Sequence, residues 1–168
     1  SPDGALYWLA RMLDGGCDPL YIARRIVRMA TEDIGNADPR GLQLAISAWD
    51  AQQRLGSPEG DLALAQAVTY LASAPKSNAV YVAFKAAMLD AQQYGSLPVP
   101  PHICNAPTKL MRDLGNGIGY RYDHDEPGGI ALNQEYFPDK MGNKIYYNPV
   151  DRGLEIKIKE KLDKIRKD

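Results

Sequence analysis

Four dipeptides of one kind punctuate the first sixty residues: Ser1-Pro2, Asp18-Pro19, Asp38-Pro39 and Ser57-Pro58. In each, a short polar side chain is suited to cap a helix. The proline after it suits the first helical position, where a missing N–H leaves nothing unsatisfied. A chain ruled at such intervals reads as a series of helices, not as a sheet. A fifth proline, Pro75, ends a helix at Ala74 and leaves Ser77 to cap the next.

Behind each start the apolar residues recur at helical spacing. The first helix carries Ala5, Leu6, Leu9, Met12 and Leu13, and the second Ile22, Ala23, Ile26, Val27 and Ala30. The third has Leu42, Ala45, Ile46 and Trp49 and stops at Gly56; the fourth has Leu64, Ala67, Val68 and Leu71. The fifth carries Val80, Ala83, Phe84, Ala87, Met88 and Ala91 as its apolar stripe, with Gly95 as its stop. The starts are nearly regular, but no side-chain signature repeats beyond the caps, so the pattern predicts an α-helical bundle rather than a repeat array.

After Gly95 the character changes. "SLPVPPHICNAP" is too rich in proline for regular helix and predicts extended backbone. A short helix follows over 107–114, with Gly115 just past its end. The stretch to Pro149 is rich in Gly, Tyr, Asn and Asp and reads as loop, with room for a small hairpin near "GYRY" or "KIYYN". A last, basic helix is expected over 152–167. The organisation expected is a helical core over residues 1–95 and a loop-rich segment over 96–168, packed on the core as one domain of all-α class.

Bulk properties narrow the function classes. Net charge is −1, which gives no whole-molecule attraction to nucleic acid or anionic membrane. No apolar run approaches membrane-spanning length. Two distant cysteines, Cys17 and Cys104, suit a reducing compartment better than a disulfide framework. The chain opens on Ser1 rather than Met, as expected of a piece of a longer protein.

The chemical candidates are few. Gly115, Gly117 and Gly119 have the spacing G-x-G-x-G and follow a helix, whereas a dinucleotide loop needs G-x-G-x-x-G between a strand and a helix. No P-loop motif occurs. Asp123, His124, Asp125 and Glu126 follow "YRY" rather than an apolar strand and read as a solvated turn. His102 and Cys104 lack the further ligands a zinc site needs. Arg24, Arg25 and Arg28, and the lysines of the last helix, form basic faces that read first as solvated surface and second as phosphate contacts.

Three long blocks point further: "SPDGALYWLARMLDGGCDPLYIARRIVRMATEDIGNADP", "LAQAVTYLASAPKSNAVY" and "NAPTKLMRDLGNGIGYRYDHDEP". Together they closely resemble the C-terminal part of the RarA/MgsA family of AAA+ ATPases, whose eukaryotic relatives are the Werner-helicase-interacting proteins. The stretch "GGIALNQEYFPDKM" departs from that pattern but keeps "EYFP", Glu135 to Pro138. The resemblance implies a bundle like the collar of clamp loaders and a parent that is a DNA-dependent ATPase of replication, recombination and repair at stalled forks. It implies no catalytic residue and no cofactor in this chain, ATP and Mg²⁺ belonging to an N-terminal ATPase module. It implies as partners that module, further copies in a homotetramer, DNA and single-stranded DNA-binding protein, with no membrane, in the cytoplasm at the nucleoid.

Two surfaces are the candidates for such contacts. Leu6, Tyr7, Trp8 and Met12 widen the apolar face of the first helix beyond what one core usually covers, which marks an oligomer interface. Arg24, Arg25, Arg28, Lys109, Arg112 and Arg121 are the alternative, a direct contact to DNA phosphates.

Overall fold

A computed structural model describes residues 1–166. It is all-α: the described residues contain helices α1 (Pro2–Asp14), α2 (Pro19–Met29), α3 (Arg40–Leu55), α4 (Asp61–Ser73), α5 (Ala79–Tyr94), α6 (Lys109–Asp113) and α7 (Glu155–Ile165), with short 3-10 turns and one π-helical turn, and no strand. The hairpin allowed for near "GYRY" or "KIYYN" is therefore absent; both stretches run as irregular chain.

The caps explain the starts. Ser1 Oγ accepts the N–H of Gly4, and Asp18 Oδ1 accepts that of Leu20, each with its proline inside the first turn. Asp38 keeps the capping role by accepting the N–H of Arg40, although Pro39 stands just before the helix rather than in it. Ser57-Pro58 does not start α4. The chain makes a further turn there, and the helix begins at Asp61, after Gly60. A side chain at Gly60 would run into Gln52, so the close packing of this turn on α3 requires glycine. Gly56 and Gly95 end α3 and α5 at positive φ, as expected.

By its contacts the chain forms two compact units, one of residues 1–84 with 147–160 and the other of residues 85–146 with 161–166. In the first unit α3 packs on α2 and α4, and α1 packs on α4. The core joins Leu9, Ile22, Ile26, Ile34, Leu64 and Leu71 to Ala23, Ala45, Ala48 and Ala67. Small residues at these crossings let the helices approach closely. After α2 the chain does not stop cleanly: Ala30–Ile34 continues as a π-helical turn and Gly35–Ala37 as a 3-10 turn. The sequence pattern carried no sign of this.

The apolar stripe expected of α5 coincides with its buried face only at Ala83. Ala79 and Ala83 are buried, while Phe84 is 66% exposed and Val80 and Met88 also face solvent. The pattern has the helical period but not the side, because the alanines, not the large residues, meet the neighbouring chain. The last helix begins at Glu155, not at residue 152; its expected extension to Lys167 lies outside the described residues.

In the second unit Tyr146 donates to Asp90, and Lys144 pairs with the same carboxylate at 3.4 Å. Burial first, and Asp90 second, push the Tyr146 phenol up to about 12. Gly117 N–H donates to Pro101 O at 2.8 Å, and His102 Nε2 lies 2.6 Å from Glu135 O. These bonds, with those of the 121–131 turn, give the loop-rich stretch a fixed course without regular secondary structure.

Candidate functional site

On α1 the inward side is set by Leu9, which is buried, with Leu6 and Leu13 partly covered beside it. Tyr7 and Trp8 project to either side of that stripe and remain 58% and 66% exposed. Their rings meet edge to face, with centroids 5.3 Å apart and planes at 74°. Met12 is exposed as well. Of the four residues expected at an interface, three thus lie on the surface, and Leu6 is half-buried.

On α2 the buried side is Ile22, Ala23 and Ile26. The spacing i, i+3, i+4, i+7 then gathers Tyr21, Arg24, Arg25 and Arg28 on the opposite, exposed face. The guanidinium of Arg24 lies over the Tyr21 ring, 5.1 Å from its centroid, and that of Arg28 lies 5.9 Å from the Tyr81 centroid. Arg28 also pairs with Glu32 one turn on. That hydrogen bond raises Arg28 and holds the Glu32 carboxyl below its ordinary range.

The other three basic candidates are in the second unit. Lys109 and Arg112 are exposed on α6, which Thr108 caps. Arg121 is committed internally: its guanidinium holds Glu126 through two bonds of 2.7 and 2.6 Å, and Nη1 donates to Leu132 O. The glycines before it have φ of +89°, +74° and +83°, so each occupies backbone that favours glycine, and Gly115 follows Leu114, the C-cap of α6. The acidic cluster is divided among separate tasks. Asp123 accepts the N–H of Ala131, Glu126 binds Arg121, and His124 packs on Tyr122. Among the described residues no three His, Cys, Asp or Glu side chains gather as metal ligands.

Two features of the first unit had no sequence signal. The Glu155 carboxylate is fully buried and accepts from Ser77 Oγ (2.8 Å), Tyr147 O–H (2.9 Å) and the Val150 N–H (2.8 Å). Asn36 donates to the Tyr147 oxygen in turn, and burial raises that phenol. The partners are up to 111 positions apart, beyond the reach of any local pattern. The second feature is a cavity of about 550 Å³ beside the π-helical turn.

Fold and site together define a small all-α module whose chemistry lies on helix faces, and whose sequence has no phosphate-binding loop. The family model described as MgsA AAA+ ATPase C terminal matches residues 1–166, and the chain belongs to that family. It is 61% identical over 166 residues to the Replication-associated recombination protein A of Coxiella burnetii, covering 99% of this chain and 38% of the relative. It is 56% identical over 162 residues to the protein of that name from Escherichia coli strain K12, covering 96% and 36%. The ATPase WRNIP1 of Dictyostelium discoideum is 43% identical over 141 residues, covering 84% and 16%. The chain thus spans less than two fifths of the length of these relatives. It corresponds to the C-terminal domain of such an ATPase, whose ATP site lies outside the matched stretch.

Proposed function

We propose that this domain assembles and tethers a DNA-dependent AAA+ ATPase that acts in replication, recombination and repair at stalled forks. In this reading the domain forms a homotetramer like the collar of a clamp loader and does no chemistry itself. ATP and Mg²⁺ belong to the ATPase module, which is its neighbour in the parent chain. Single-stranded DNA-binding protein is a further partner, and the setting is the nucleoid in the cytoplasm.

The observation that carries the proposal is the solvent-facing Tyr7–Trp8 pair with Met12 on α1. Large aromatic side chains left in water by a well-packed helix are the usual anchors of an interface, since each combines apolar area with a polar handle. A closed assembly would also raise the effective concentration of several ATPase modules on one DNA. The test is light scattering of the domain at tens of micromolar, where even an interface with a Kd of about 1 μM is filled. A tetramer is expected; a monomer would overturn the reading.

A second reading has its own observation. The α2 face combines three exposed arginines with Tyr21 and Tyr81, which suits direct, sequence-independent contact with DNA phosphates. Arg121 supports it least, because Glu126 already holds its guanidinium.

A further inference from the structure

We infer that the cavity in the first unit is a binding pocket for an apolar side chain carried next to a carboxylate, presented by a peptide of a partner protein. The cavity, about 550 Å³, is within the range of sites that take one or two large side chains. Ile34, Val68 and Leu71 supply apolar lining, while Asp33, Lys76 and Arg152 supply its charges. Two cations face one carboxylate, so the rim favours an anionic end on whatever apolar body enters.

The two cations have different parts. The Lys76 ammonium donates to the carbonyl oxygens of Leu71, Ala72 and Ala74 at the end of α4. Those three bonds use all its donors, so it contributes charge but no hydrogen bond to a ligand. Arg152 is exposed, and among the described residues no partner holds its guanidinium. Its planar fork matches a carboxylate in two-point geometry. Asp33 is suited to accept a peptide N–H next to the bound carboxylate.

The backbone brings these groups together by a means that also points to function. Asp33 and Ile34 lie in the π-helical turn, and such turns occur mostly as interruptions of α-helices and frequently at functional sites. The Asp33 carbonyl accepts the Ser77 N–H at 2.8 Å, tying the turn to the segment that carries Lys76. A bare phosphate would satisfy the cations and leave the apolar lining unused, which is why the peptide is favoured over nucleic acid here. The inference stands apart from the assembly proposed above.

The test titrates the isotopically labelled protein with doubly blocked dipeptides and follows backbone amide resonances. Phe-Asp is expected to bind saturably, shifting amides of residues 33–36 and 76–78. Phe-Asn and Ala-Asp should each bind roughly tenfold more weakly, one lacking the charge and the other the apolar body. Arg152→Gln should lower Phe-Asp to the level of Phe-Asn, whereas Arg24→Gln should leave it unchanged. Equal binding of all three peptides, shifts confined to α2, or an unaffected Arg152→Gln would each overturn the inference. So would N-acetylphenylalanine binding as tightly as Phe-Asp, which would assign the pocket to small free acids. The comparison among peptides on the unaltered protein stands even if the Arg152 variant folds poorly.

Discussion

Glu155 is the residue on which the returning chain of the first unit depends. A buried carboxylate is tolerated only where donors surround it, and here a hydroxyl, a phenol and a backbone N–H do so. Glu155→Ala removes the acceptor that these three donors share and is expected to cost about 3 kcal/mol in urea unfolding, with Glu155→Gln costing less. Asp38 makes a separate, pH-dependent contribution. The hydrogen-bonded Arg40 guanidinium, then Tyr70, hold its carboxyl below the usual range against the opposing effect of burial. A carboxyl lowered on folding stabilises the fold in full above its unfolded value, about 3.9. That stability is lost as pH falls from there through the folded value. Unfolding followed down an acid series should therefore show a loss that Asp38→Asn removes; an unchanged acid slope in that variant would place the effect elsewhere.

Helix existence was legible because caps and periodicity are local. The starts at Ser1 and Asp18, and the stops at Gly56 and Gly95, needed no tertiary information. What was not legible was which face each helix buries. α5 has large apolar residues at helical spacing, yet Ala79 and Ala83 are the buried ones. On α1 the wide apolar arc did predict solvent-facing aromatics, since one neighbour does not cover so many degrees of a helix. The contrast gives a prediction. Leu9→Ala, in the core, should cost about 2–4 kcal/mol of stability. Trp8→Ala should change stability by less than about 1 kcal/mol while dissociating the oligomer in sedimentation. A tetramer untouched by Trp8→Ala would remove α1 as its anchor. Phe84→Ala, equally exposed, is the matched surface substitution and should leave stability nearly unchanged.

For the whole molecule, residue types alone located the basic candidates but not their grouping. Three lie together on α2, two on α6, and Arg121 is engaged within its own turn. If the α2 face meets DNA, binding should be weak and sequence-independent, and should fall steeply with added salt through loss of counterion release. Reversing the charge of Arg24, Arg25 and Arg28 should flatten that salt slope in fluorescence anisotropy; an unaltered slope would exclude this face. The last consequence concerns synthesis. Residues 147–160 close the first unit, with the Leu154 N–H on Ala37 O and Gly153 where any side chain would strike that carbonyl. Everything from 85 to 146 is made in between. On the ribosome, then, the N-terminal helices emerge long before the strip that completes them. The Ser77 hydroxyl waits without its acceptor until Glu155 has cleared the exit tunnel. A nascent chain stalled short of that point carries an unfinished bundle, with apolar surface left open to aggregation.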